Sequence, residues 1–250
     1  MSHSGEASEL IGHLVGRIES FSPEEVAPLA ENVTGELAEL ATWWLQRVPV
    51  DKTRLVNSII DTADCAGIEL GVVTTDKAID SGATLITLVS HNNVTSTNVR
   101  AIIGLLTHKD AHAVYHQSPA TTDAQAMADM ADIRDSMRRH LENRANPLAL
   151  AQLDPSVEFT VGLLLNASAR RTPVILGTLS HLAAALIAQR IAMPAWNWWR
   201  YGSTSPDTGV QLAIDRIGLP AGLALNLSDD SGMGARISAQ LIEELVPASI

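Results

Sequence analysis

Short wholly apolar runs and longer stretches with apolar residues at helical spacing take turns along the 250-residue chain. The clearest unit spans residues 84–106. Leu85, Ile86, Thr87, Leu88 and Val89 form a nearly continuous apolar run, which Ser90, His91, Asn92 and Asn93 break. Thr95, Ser96, Thr97 and Asn98 are all favourable helix caps, and Val99, Ile102, Ile103 and Leu106 return at helical spacing. This order predicts a buried strand, a loop and a helix. The same order recurs three times towards the C-terminus. A strand at 173–176 leads through a turn at 177–180 to a helix at 181–191. A strand at 196–201 leads through a polar loop at 202–208 to a helix at 209–217. A strand at 223–227 leads through 228–234 to a helix at 235–245.

The N-terminal part is patterned differently. Leu10, Ile11, Leu14, Val15 and Ile18 have helical spacing, and Ser22-Pro23-Glu24-Glu25 is a helix start, with a capping serine, proline in the first turn and acids facing the dipole. Residues 26–48 read as one long or broken helical region, ended at 49–51. Residues 55–66 and 68–81 also read as helical. Residues 111–114 are expected as a short strand. A helix is expected over 123–144, with Met127, Met130, Ile133 and Met137 as its stripe. Further helices are expected at 147–153 and 157–169. Strands alternating with helices imply an α/β fold, a Rossmann-like parallel sheet flanked by helices. A small helical part comes from the N-terminal segment, so the division expected is 1–60 helical and 61–250 α/β, of the nucleotide-binding type.

Composition narrows the partners. The formal charge is −11, which argues against nucleic acid and against docking on anionic lipid, since both need a basic face. A small anion remains compatible, because local donors decide such binding. Cys65 is the sole cysteine, so no intrachain disulfide forms, and its surroundings read as a helical core position. The first residues lack a basic-then-apolar leader, and the longest apolar runs, such as 182–188, are too short to span a bilayer. A soluble cytoplasmic protein is the expectation.

In a parallel sheet, the loops at 90–98, 177–180, 202–208 and 228–234 share one edge and build one cleft. The helix start after Ser96 offers amides and a dipole to an anion such as phosphate, or serves only as an ordinary capped crossover. Asp229, Asp230, Ser231, Gly232 and Gly234 combine carboxylates with close backbone approach. They suit a base or a ribose holder, or else a simple helix cap. His108, His112 and His116 recur every four residues, but the strand expected between them separates their faces, so no metal site is assigned and no cofactor is expected. A P-loop, a GxGxxG and a nucleophile elbow are all lacking. Trp196, Trp198 and Trp199 are either interface anchors or rings divided between core and surface.

The C-terminal half resembles the nicotinate-nucleotide:dimethylbenzimidazole phosphoribosyltransferase family of cobalamin biosynthesis. The likeness is carried in order by Pro173-Val174-Ile175-Leu176, Ala183-Ala184-Ala185-Leu186, Ser203-Thr204-Ser205-Pro206-Asp207-Thr208-Gly209 and Gly232-Met233-Gly234-Ala235. Ala66-Gly67-Ile68-Glu69, the unit from Leu85 to Leu106, and Gly162-Leu163-Leu164-Leu165 match in register. The segment from Pro28 to Trp44 is similar to the family's N-terminal part. The resemblance implies transfer of phosphoribose from nicotinate mononucleotide to an aromatic base, by a dimer. Phosphate would be held at His91, Asn93, Ser96 and Thr97, with Gly177, Ser203, Asp207, Gly232 and Gly234 completing the substrate site.

The departures fall at the polar positions. The catalytic glutamate of the family aligns with Ser231, so Asp230 or Asp229 would have to replace it. His91, Asn93 and Thr95 stand where the family has glutamate and glycines, Gly177 where it has aspartate, and Val210 where it has histidine. The stretch 117–128, which matches the family's lysine-bearing phosphate loop, has no basic residue, and a large block of the family that should lie between Val48 and Asp61, with its early strands and a base-binding part, is absent from this chain. Two readings follow: a divergent transferase acting on a nucleotide and an aromatic base, or a catalytically silent homologue that binds a nucleotide or pairs, as homodimer or heterodimer, with a related subunit.

Overall fold

The computed structural model describes residues 3–23, 34–48, 55–91, 96–220, 222–228 and 231–246. In chain order its helices are α1 (His3–Val15), α2 (Gly35–Leu45), α3 (Ile68–Asp80), α4 (Thr97–Thr107), α5 (Ala111–Val114), α6 (Asp123–Arg139), α7 (Pro147–Ala151), α8 (Pro155–Ala169), α9 (Leu179–Ile191), α10 (Thr208–Ile217) and α11 (Met233–Leu245). The strands are β1 (Asn57–Asp61), β2 (Leu85–Val89), β3 (Val174–Leu176) and β4 (Trp199–Tyr201). They form one four-stranded sheet in the order β1-β2-β3-β4, every pair parallel. The expected α/β class is therefore correct.

The strand period of two sorts side chains to two faces. Ile86, Leu88, Val174, Leu176, Trp199 and Tyr201 join the larger core, with α1, α3, α4, α8, α9 and α10. Leu85 and Ile175 join the smaller one, with Leu40, Ala41, Trp43 and Trp44 of α2 and Ala235, Ala239 and Ile242 of α11. The indole of Trp44 donates to Thr84 O at 3.1 Å, which ties α2 to the start of β2. On the larger face α3 and α8 cross almost in backbone contact. A Cβ on Gly162 would meet the Ile68 backbone, and one on Gly71 the Phe159 backbone.

Several local expectations need correcting. Residues 55–66 are not helical: Ile59 and Ile60, stiff at χ1, pair with β2 as an edge strand, and short apolar runs do not declare their period. Cys65 consequently sits in the turn after β1, half-buried, its thiol 3.4 Å from Asp61 O. Residues 111–114 are a single helical turn, because Asp110 accepts the Ala113 amide at 2.9 Å. The helix at 123 stops at Arg139 and continues as a separate 3-10 turn, Glu142–Ala145. Its buried stripe is Ala126, Ile133 and Ser136, with Met137 packed against the core, while Met127 is 70% exposed. The stretch 196–201 begins as 3-10 helix and only Trp199–Tyr201 is strand. Residues 223–227 contribute one parallel bridge, Ser203 to Leu223, before Asn226 turns to a φ of 49°. Trp198 and Trp199 are buried inside the chain's own core, so they are not exposed anchors. The proposed helix start at 24–25 and the break at 49–51 lie outside the described residues.

Candidate functional site

The carboxyl ends of the strands meet as expected, and they meet backbone to backbone. A Cβ on Gly177, just after β3, would collide with Leu88 O and lie 2.7 Å from Gly232 Cα. One on Gly232 would lie 2.9 Å from Val89 Cα, and one on Gly234 would strike Ser203. Gly232, at a φ of 87°, caps α11 and brings that helix start directly over the tips of β2, β3 and β4. The Ser90 amide donates to Ser231 O at 3.0 Å, joining the β2 loop to the C-terminal loop. Asp229, Asp230 and Asn93 lie outside the described residues.

Beneath this junction is a buried histidine that the sequence pattern did not single out. His181 Nδ1 accepts the amides of Gly177 at 3.2 Å and Thr178 at 3.1 Å, in a capping box that Thr178 completes. The proton therefore belongs on Nε2, which donates to Thr62 Oγ1 at 2.8 Å; that hydroxyl in turn donates a hydrogen bond to Val89 O at 3.3 Å. Complete burial pushes the imidazole pKa down to about 3, against a weaker upward pull from Asp61. The only cue in sequence was a histidine three residues after a capping threonine.

Around the rim the predicted polar residues separate. Ser96 caps α4, accepting Val99 N at 3.2 Å, and its hydroxyl donates to Asp154 Oδ2 at 2.6 Å. Asp154 is itself the cap of α8, accepting the amides of Ser156 and Val157. Thr97 opens α4 and, with Ser96 and Asn98, borders a groove of about 810 Å³ whose far wall is Asp132, Asp135, Arg138 and Arg139 of α6. Neither arginine stands out in the sequence as a binding group. Asn98 is spent on Leu153 O and Ser136 Oγ.

Asp207 caps α10 through Gly209 N at 2.8 Å, and its two oxygens take Arg100 of α4 at 2.7 and 3.2 Å. Both side chains are largely buried, 12% and 15% exposed, so this fork fixes the 202–208 loop to α4. Ser203 donates to Thr204 O and is nearly covered. His91 stands outermost, its Nδ1 2.9 Å from Asp61 Oδ2 and its Nε2 3.4 Å from Asp64. The hydrogen bond His91 donates to Asp61, and then the charge of that carboxylate, raise the His91 pKa. Burial acts upwards on Asp61, yet the bonds from Ala63 N and His91 hold its carboxyl below the usual range.

His108 is the left-handed cap of α4, His112 lies within α5 and His116 after it, so the three do not share a helix face. Among the described residues no group of three or more His, Cys, Asp or Glu side chains could hold a metal ion, and no helix is long and apolar enough to cross a membrane.

A family model described as phosphoribosyltransferase matches residues 60–247. Relatives named nicotinate-nucleotide–dimethylbenzimidazole phosphoribosyltransferase include one from Mycobacterium ulcerans, 27% identical over 77% of this chain and 54% of its own length. Another, from Streptomyces avermitilis, is 30% identical over 71% of this chain and 48% of its own. The crystal structure of CobT from Thermus thermophilus superposes with a TM-score of 0.61 at 21% identity, over 72% of this chain and 54% of that one, which shows the shared fold. The chain thus spans about half the length of the relatives it matches.

Proposed function

The chain belongs to the phosphoribosyltransferase family, and from that premise we propose that it transfers phosphoribose from a nicotinate nucleotide to a nitrogen or oxygen of an aromatic base. The single observation that carries this reading is the meeting of four loops over the strand tips. The start of α4 separately borders an open groove whose far wall holds Arg138 and Arg139 beside Asp132 and Asp135. The Ser96 hydroxyl already serves the Val99 amide. An anion would therefore approach through the amides of Thr97 and Asn98 and the two guanidiniums. In the reaction the bond from the ribose anomeric carbon to the nicotinate nitrogen breaks and a bond to the base forms. The base loses its proton to a carboxylate, for which Asp230 or Asp229 is the proposed acceptor. His91, Asn93, Gly177, Ser203, Asp207 and Gly234 are proposed to shape the pocket rather than to react.

A second reading is a nucleotide-binding partner subunit without turnover. It is favoured by one observation: Ser96 is engaged by Asp154, and Asp207 by Arg100, so two polar groups the resemblance assigns to substrate already serve the fold. The pairing, with a copy of itself or with a related subunit, belongs to the same proposal and is measured by light scattering.

The test incubates the protein with nicotinate mononucleotide and a panel of benzimidazoles and phenols and measures released nicotinate. Release that falls at least about a hundredfold in Asp230→Asn, with unchanged circular dichroism, supports the transferase. Thermal stabilisation by the nucleotide without release selects the binding subunit. Neither release nor stabilisation overturns both.

A further inference from the structure

We propose that the seam between the N-terminal segment and the amino end of β4 is a separate binding site for a small oxyanion, a phosphate or phosphomonoester, centred on Arg47. It lies across the sheet from the strand tips, because Trp198 precedes β4 and Arg171 precedes β3, whereas the candidate functional site follows those strands. The Arg47 side of its wall, with Glu19–Ser22, falls before the family match at residue 60.

Two arginines meet here without a full set of partners. Arg200 projects from the middle of β4 to the smaller face of the sheet, opposite Ile175, and is only 4% exposed. Its Nη1 reaches Glu39 O at 3.4 Å, and its Nε has no hydrogen-bond partner among the described residues. One turn further along α2, Trp43 Nε1 is also buried without a partner among the described residues. Arg47 donates to Asn197 O at 2.6 Å and Trp43 O at 2.7 Å, and its guanidinium lies 4.2 Å from the Phe21 ring centre and 5.1 Å from that of Trp43.

These partners are carbonyls and rings, which orient a cation but do not neutralise it. Burial, and then the charge of Arg200, bring the Arg47 pKa down to about 10. Glu36 and Glu39 act on Arg200, and Glu19 is paired with Arg171. In a chain of net charge −11, Arg47 is thus a partly buried guanidinium whose hydrogen-bond partners are carbonyls, while Arg171 beside it is paired with Glu19. Such an arrangement is costly unless an anion completes it.

The opening beside Arg47 has the matching shape. It encloses about 220 Å³, bordered by Arg47, Arg171, Ser20, Ser22, Gln46 and Trp198. The Arg47 guanidinium, two hydroxyls and an amide are donors of the kind that bind phosphate oxygens, and the Glu19–Arg171 pair closes the other side of the wall. The volume is below the ~300 Å³ at which pockets begin to take drug-sized ligands, so it suits a phosphate with a short substituent and not a whole dinucleotide. Because α2 packs on α11, whose start covers the strand tips, an anion here would also brace the far edge.

The experiment titrates inorganic phosphate into the full chain at constant ionic strength, made up with chloride, and follows the tryptophan indole N–H resonances. The expected result is a saturable shift of the Trp198 and Trp43 signals, weakened at least tenfold in Arg47→Met and unchanged in Arg138→Met. That last arm separates this site from the groove at α4. If circular dichroism shows Arg47→Met unfolded, Arg47→Lys replaces it; keeping the charge but losing the fork, it is expected to bind several-fold more weakly. Shifts linear in phosphate, equal shifts with chloride alone, or wild-type affinity in the folded Arg47 variant would overturn the proposal.

Discussion

The interior and the rim of the strand-tip junction use the same kinds of residue to opposite ends. Inside, His181, Thr62 and the amides after β3 satisfy one another completely, and no solvent reaches the imidazole. On the rim, His91 meets two aspartates directly at an exposed position, and Ser96 and Thr97 border a groove. Polar groups in the interior cannot fall back on water, so each bond there is a structural joint. Rim groups exchange partners cheaply, which is what a ligand requires of them.

The largest break in this comparison is expected from His181→Ala. It strands the Gly177 and Thr178 amides and opens a cavity, at a cost of about 4 kcal/mol, read in urea unfolding. The same joint gives an acid signature. The folded pKa of about 3 lies below the ordinary value, so its stabilisation is intact above about pH 6.5 and fades as the pH falls towards 3. At pH 5 the loss from this group is about 2 kcal/mol, absent in the variant. Gly177→Ala comes next, at about 3 kcal/mol, because its methyl would have to displace the Leu88 carbonyl and Gly232, backbone atoms that cannot rotate away.

On the rim the effects shrink. Ser96→Ala removes a cap and a bond to Asp154, and about 1 kcal/mol of stability read in urea unfolding, with a smaller effect on nucleotide affinity in a binding titration. His91→Ala is expected to leave the melting temperature unchanged, since its partners are exposed. An NMR titration should nevertheless place the His91 midpoint above that of an ordinary histidine, in the direction opposite to His181. A His91 variant that unfolds, or a His181 variant that does not, would erase the distinction.

Much of the scaffold was legible. The runs at Leu85–Val89 and 173–176, each followed by caps and a helical repeat, became β2–α4 and β3–α9. Where the period was ambiguous the sequence misled. Ile59 and Ile60 suited a helix as readily as an edge strand until β2 supplied partners. Residues 223–227 had the composition of a strand but achieved only the bridge at Leu223. The candidate site was legible as a set of loops and not as a set of bonds. Nothing local indicates that Asp207 would be claimed by Arg100, 107 positions away, or Ser96 by Asp154.

The chain alone determined its strands, helix starts, α/β class and family likeness, because hydrophobic period and caps are short-range properties. Only the tertiary structure decided which polar side chains are free. A carboxylate or an imidazole is committed or available according to what long-range packing brings within 3 Å of it, and His181 and His91, alike in sequence, were given opposite environments in that way.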